Sequence, residues 1–307
     1  MQALKLNAGH GWLWIRAGWR LFRRQPIGFA AILFAFLFAL LAASLVIGLA
    51  ARAIAAIVPF ISADLVAALG SAVVATLTPG LTAGFMEACR SAEAGVTVSP
   101  FMLVAPFRSG RERRNQLLIL GVVQVVALMI IVLATNTIDA PGGGREAASG
   151  SAPVAAEPTP DAGKSGKADT PVPVRTEAGR DGAAIRHAAT VSLFQALAYL
   201  PVALLLWYAP MLVAWHRLSA LKALFFSAVA VWRNLAPFIM YGIGWVAIWT
   251  MLSFVLSLVV AMVGLGNLSA LLAAPLGMLI LTWMYCSFYP TYATVFVAAE
   301  EKLQREQ

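Results

Sequence analysis

Four hydroxyl-bearing residues late in the chain recur at helical spacing: Thr282, Tyr285, Tyr289 and Tyr292 stand at i, i+3, i+7 and i+10. On a helix they share one face of an otherwise apolar segment. A polar face on a membrane helix turns inward. Its hydroxyls then either bond neighbouring helices or line a polar cavity for a lipid headgroup or small solute. Gln195 and Tyr199, with Ser192, form a smaller counterpart in an earlier apolar run. Spacing alone leaves both readings open.

Ionisable residues within apolar runs are the next suspects. Asp64 stands where one run begins. If a helix starts there, Asp64 is a solvated cap. If the helix starts near Ala53, Asp64 is buried and pairs with Arg52 or serves as a proton or cation site. Glu87 and Arg90 are spaced as a surface pair. His216, between Trp215 and Arg217, reads as an interfacial anchor. Cys89 beside Arg90 reads as a small residue at a helix end, and Cys286 as inert within its run. Two cysteines and three dispersed histidines give no disulfide framework and no local zinc or haem ligand pair. HExxH, GxSxG and P-loop patterns are absent. No cofactor, metal or enzymatic activity is expected.

The elements that must position these residues are membrane helices. Of 307 residues, 61% are hydrophobic and 12% charged, about half the charge of a soluble domain. Long apolar runs near 27–50, 65–86, 117–134, 191–213, 235–262 and 268–298 are each long enough to cross an apolar layer of about 30 Å. They predict an all-α, six-span bundle. Residues 53–64 are ambiguous between an interfacial helix and the start of the second span. In the second run Gly80 and Gly84 are spaced for close helix approach, within the chain or between copies.

Lysine and arginine orient the bundle. They cluster before span 1 (Lys5, Arg16, Arg20, Arg23, Arg24) and between spans 2 and 3 (Arg90, Arg108, Arg111, Arg113, Arg114). Others lie between spans 4 and 5 (Arg217, Lys222, Arg233) and after span 6 (Lys302, Arg305). All four segments fall on one side of a six-span chain, and that side is cytoplasmic by the positive-inside rule. Both termini are expected inside, and the location is a bacterial inner membrane. The net charge of +8 is accounted for this way, and no nucleic-acid partner is expected. Residues 136–188, rich in Pro, Gly, Ala and Ser, cannot offset their ordering entropy by burial and read as a disordered periplasmic linker. The linker divides two membrane halves, 1–135 and 189–307.

Each outward span follows a basic, amphipathic segment. Residues 10–25 place Trp12, Trp14 and Trp19 in one half of a helical wheel, and Arg16, Arg20, Arg23 and Arg24 in the other. That pattern predicts a helix lying in the interface, rings at the acyl boundary and guanidinium groups on anionic lipid headgroups. A second such segment starts at Ser99-Pro100, and a third places Lys222 and Arg233 on one face. Each returning span carries a proline toward its inner end: Pro79, Pro210 and Pro290. The chain therefore reads as three copies of one unit, an interfacial helix followed by a helical hairpin.

The stretches GWLWIRAGWRLFRRQP (11–26) and WYAPMLVAWHRLSALKALFFSAVAVWRNLAPF (207–238) resemble an uncharacterised family of bacterial six-span inner-membrane proteins. They bear a fainter likeness to the membrane domain attached to some glycerophosphodiester phosphodiesterases. The resemblance covers both membrane halves but not the linker. It implies the topology and supplies no activity or catalytic residues. The leading expectation is a non-enzymatic accessory or scaffold bundle that grips anionic lipid and meets a membrane-protein partner or a second copy. A transporter of a lipid or small hydrophobic solute is the alternative, and an intramembrane enzyme comes last.

Overall fold

The structure is a computed structural model describing residues 4–58, 60, 62–139, 177–263 and 269–297, with side-chain surroundings for 4–58, 60, 62–135, 190–262 and 273–296. Every element among them is helical. A short helix α1 (His10–Arg24) leads into α2 (Pro26–Ile57) and α3 (Ala63–Glu93). A 3-10 turn (Pro100–Val104) and α4 (Ala105–Arg108) lead into α5 (Arg111–Asp139), then α6 (Glu177–Leu206) and α7 (Ala209–His216). Helix α8 (Ala220–Arg233) leads into α9 (Leu235–Val263) and α10 (Ser269–Tyr292), which closes in a π turn at Ala293–Val297. A short helix, α1, α4 or α8, precedes each pair of long ones, with α7 an additional short helix after α6.

Five segments are long and apolar enough to cross a membrane: Pro26–Ile57, Ala63–Glu93, Arg111–Thr135, Thr190–His216 and Leu235–Met262. The sixth expected span, 268–298, reaches outside the described residues at both ends. Its described part is α10. The middle of the expected linker, 140–176, also lies outside the described residues, while its flanks are helical to Asp139 and from Glu177.

Helix boundaries follow local chemistry. Pro26 takes the first turn of α2, where its missing N–H costs nothing. Ser62 starts α3, its Oγ accepting from the Leu65 amide at 3.2 Å. Asp64 is therefore not the cap. It sits exposed in the first turn, where its charge meets the positive end of the helix. This corrects the buried alternative: α2 runs on to Ile57 and α3 begins only at Ala63.

The chain divides into two compact units, Met1–Val126 with Val202–Gln307, and Ala127–Pro201. The second unit comprises the far part of α5 and the first part of α6; Ile130, Leu133, Leu193 and Leu197 are exposed on it. The first unit holds the packed core, centred on Trp14, Ile15, Phe29, Ile32, Met86, Leu117, Leu212 and Tyr208. These residues come from the arginine-bearing ends of their helices. Further along α2 and α9, large apolar side chains such as Leu41 (67% exposed) and Met251 (69%) face outward, as lipid solvation permits.

Candidate functional site

Helix α1 is positioned by its glycines. A Cβ on Gly11 would stand 2.6 Å from the Tyr241 amide nitrogen, and one on Gly18 would stand 2.5 Å from Ser287 Cα. Only glycine lets α1 lie this close to α9 and α10. The face so buried is Gly11, Trp14, Ile15, Gly18, Leu21 and Phe22. Trp14 is 1% exposed, and its Nε1 donates to Thr294 Oγ1 at 2.8 Å. In return Trp283 Nε1 donates to the Ile15 carbonyl at 3.0 Å.

This corrects the wheel drawn from hydropathy. Trp14 is a core residue and not a lipid contact. Trp12 and Trp19, 50% and 41% exposed, leave the apolar face and share the outward stripe with Arg16, Arg20 and Arg23, all exposed. Trp12, Arg16, Trp19 and Arg20 border a groove of about 570 Å³ with Trp283. The Trp19 and Trp283 rings lie 4.9 Å apart. Arg24 has another task. Its Nη1 donates to the Glu93 carbonyl at 3.1 Å and the Ala92 carbonyl at 3.4 Å, closing the C-terminal end of α3. Gln25 continues the join: its Oε1 accepts from the Val98 amide at 2.7 Å and its Nε2 donates to the Val96 carbonyl at 2.9 Å.

The hydroxyl face of α10 is used internally. Thr282 is buried and donates to its own Met278 carbonyl at 2.7 Å. Tyr285 is half-buried among Phe36, Phe85 and Phe288. Tyr292 is buried, and its hydroxyl shares a hydrogen bond with His216 Nε2. Tyr289 borders a smaller space of about 270 Å³ beside Arg20, Arg24 and Glu93. Gln195 and Tyr199 belong to the second unit and are exposed. Within the first unit, Thr282 and Tyr292 are thus bonded inside the bundle, Tyr285 packs among rings and Tyr289 borders the smaller space. Spacing marks a shared helix face and cannot show which hydroxyls are bonded to their own backbone.

Proline frees backbone groups, and the bundle re-pairs them. Between α6 and α7 the helix opens at Trp207–Tyr208, just before Pro210. The Tyr208 amide donates to Ser227 Oγ of α8 at 3.0 Å, and that hydroxyl donates to the Leu204 carbonyl at 3.3 Å. Beyond Pro290, Thr294 Oγ1 returns to the Pro290 carbonyl at 2.8 Å, and Tyr208 donates to the Thr291 carbonyl at 3.3 Å. Gly80 and Gly84 face Phe107 and the Leu103 backbone, so they serve packing within the chain.

At the arginine-bearing end, Trp215 Nε1 donates to Glu87 Oε2 at 2.6 Å, and the Arg90 guanidinium lies 5.4 Å from the centre of the Trp215 ring. Glu87 and Arg90 thus meet a third residue that their spacing does not announce. Cys89 and Cys286 are both buried free thiols. Among the described residues no group of three His, Cys, Asp or Glu side chains is placed to hold a metal ion.

Long apolar helices, outward-facing apolar side chains and a belt of tryptophan and arginine at one end define a multi-pass, all-α membrane protein. The chain is 32% identical over 301 residues to the probable inner membrane protein BTH_II0599 of Burkholderia thailandensis, spanning 98% of this chain and 96% of that one. It belongs to the family of that protein and is an inner-membrane protein. No family model matches it, so the likeness to the phosphodiesterase membrane domain gains no support, and no solved structure matches it.

Proposed function

We propose that the chain is a non-enzymatic accessory or scaffold bundle that holds anionic lipid at its cytoplasmic end and presents the bundle to a membrane-protein partner. The observation that carries this reading is the outer stripe of α1. Its inner face is locked to α9 and α10, yet Trp12, Arg16, Trp19 and Arg20 stay exposed around a groove. Indole rings suit the headgroup level, and guanidinium forks suit phosphate oxygens. Helix α8 supports the same reading. It exposes Leu221, Phe225 and Trp232 beside Lys222 and Arg233, the pattern of an interfacial helix. With the basic segments inside, the termini are cytoplasmic and the 136–188 linker is periplasmic. The transporter alternative has less support, because α10 spends Thr282 and Tyr292 on bonds within the bundle.

Native mass spectrometry of the protein in a polymer disc tests the proposal. The Arg16→Gln/Arg20→Gln double variant is expected to lose anionic lipid that the wild type retains through activation. Retention of the full wild-type lipid set by the double variant would overturn it.

A further inference from the structure

A third space opens on another side of the arginine-bearing end, lined from α3, α4, α5 and α7. It measures about 340 Å³, and Arg90, Arg113 and Arg217 border it with Glu87, Ser109 and Trp215. Ser109, Arg113 and Arg217 also border an adjoining cleft of about 300 Å³ that reaches Ser219 at the start of α8. Gln116 pins this corner, its Oε1 accepting from the Ala220 amide at 2.8 Å.

Three features are unexplained by packing. Three arginines and a single carboxylate line the space, that carboxylate already accepts from Trp215, and Glu112 borders the adjoining cleft. Like charges lining one space repel, and an anion among them relieves that repulsion. Arg113 Nε is buried without a hydrogen-bond partner, a cost that an acceptor oxygen would remove. Arg217 holds a left-handed backbone at φ 54°, where a helix end ordinarily places glycine. The chain keeps a strained arginine at the mouth of the space instead.

We propose that this pocket binds a phosphate group, gripped by Arg113, Arg217 and Arg90. The space admits a phosphate with a short substituent. Its source is either a lipid headgroup or a free phosphate ester in the adjoining water. The pocket shares no residue with the Arg16 and Arg20 groove, so it stands or falls separately from that reading.

The test uses the full chain in discs of phosphatidylcholine alone and discs containing added phosphatidic acid. Inorganic phosphate is the soluble probe, read by thermal shift, and retained phosphatidic acid is read by native mass spectrometry. Arg217→Gly removes the guanidinium while suiting the backbone, so this variant keeps the fold if Arg113→Gln does not. Binding of the probe that the wild type takes should fall about tenfold in Arg217→Gly and Arg113→Gln, the loss of one charge-assisted pair, and be unchanged in Arg52→Gln, an exposed arginine in the last turns of α2. Stabilisation by inorganic phosphate in neutral discs identifies a free ester. Phosphatidic acid retained without competition by phosphate identifies a headgroup. Failure of the wild type to take either probe, or undiminished binding in Arg217→Gly, overturns the proposal.

Discussion

At the scale of single residues, the glycines carry the most consequential information and the least hydropathy. Gly11 and Gly18 decide which face of α1 is buried, yet they contribute nothing to an apolar stripe. A wheel built on hydropathy therefore rotates the helix and puts Trp12 and Trp19 on the wrong side. Trp14 shows the complementary effect, since its indole N–H is matched to Thr294, which lies far away in sequence. Trp14→Phe removes the donor and also leaves a cavity where the second ring stood, since the side chain is 1% exposed. It should cost more than the roughly 0.6–1.7 kcal/mol of an interhelical hydrogen bond, read as a lower unfolding midpoint in detergent. Thr294→Val should cost about 0.6–1.7 kcal/mol and add little to Trp14→Phe in the double variant. Full additivity would mean that the two groups do not act together.

Among the elements, the spans are legible because twenty or so apolar residues have no other solvent; five of the six runs expected from composition are long apolar helices, and the sixth is described in part as α10. Their ends are less legible. Ser62 and not Asp64 opens α3 because its hydroxyl reaches the Leu65 amide, and nothing in the apolar run marks that choice. Pro210 announces a disturbance, but the helix opens at Trp207–Tyr208 because Ser227 of α8 is there to take the freed amide. The placement of α1 was least visible, since it depends on α9 and α10 and not on α1 alone. Cysteine accessibility separates a docked α1 from one lying loosely on the membrane surface. In a chain carrying Cys89→Ala and Cys286→Ala, Leu13→Cys should react with a thiol reagent and Ile15→Cys should not, following their 48% and 0% exposure. Equal labelling of both would undo the docking described here.

For the whole molecule, the distribution of arginine and lysine predicts an orientation. Single cysteines at Ser109 and Ser165 in the same background should label from the cytoplasmic and periplasmic sides respectively, and the opposite pattern would invert the protein. The candidate lipid groove takes all but Trp283 from α1, whereas the arginine-lined pocket gathers side chains from distant parts of the chain, which explains why it could not be assembled from spacing. That feature bears on how the protein is made. Helix α1 leaves the ribosome well before its partners α9 and α10. The Leu4 amide likewise donates to the Val295 carbonyl at 3.1 Å, and Asn234 Nδ2 donates to the Leu4 carbonyl at 2.9 Å. Until the final hairpin is inserted, the apolar face of α1 lacks α9 and α10, the helices it packs against most closely. Its flanking arginines then give the waiting segment a place to stay, held at the membrane surface while the rest of the chain is synthesised.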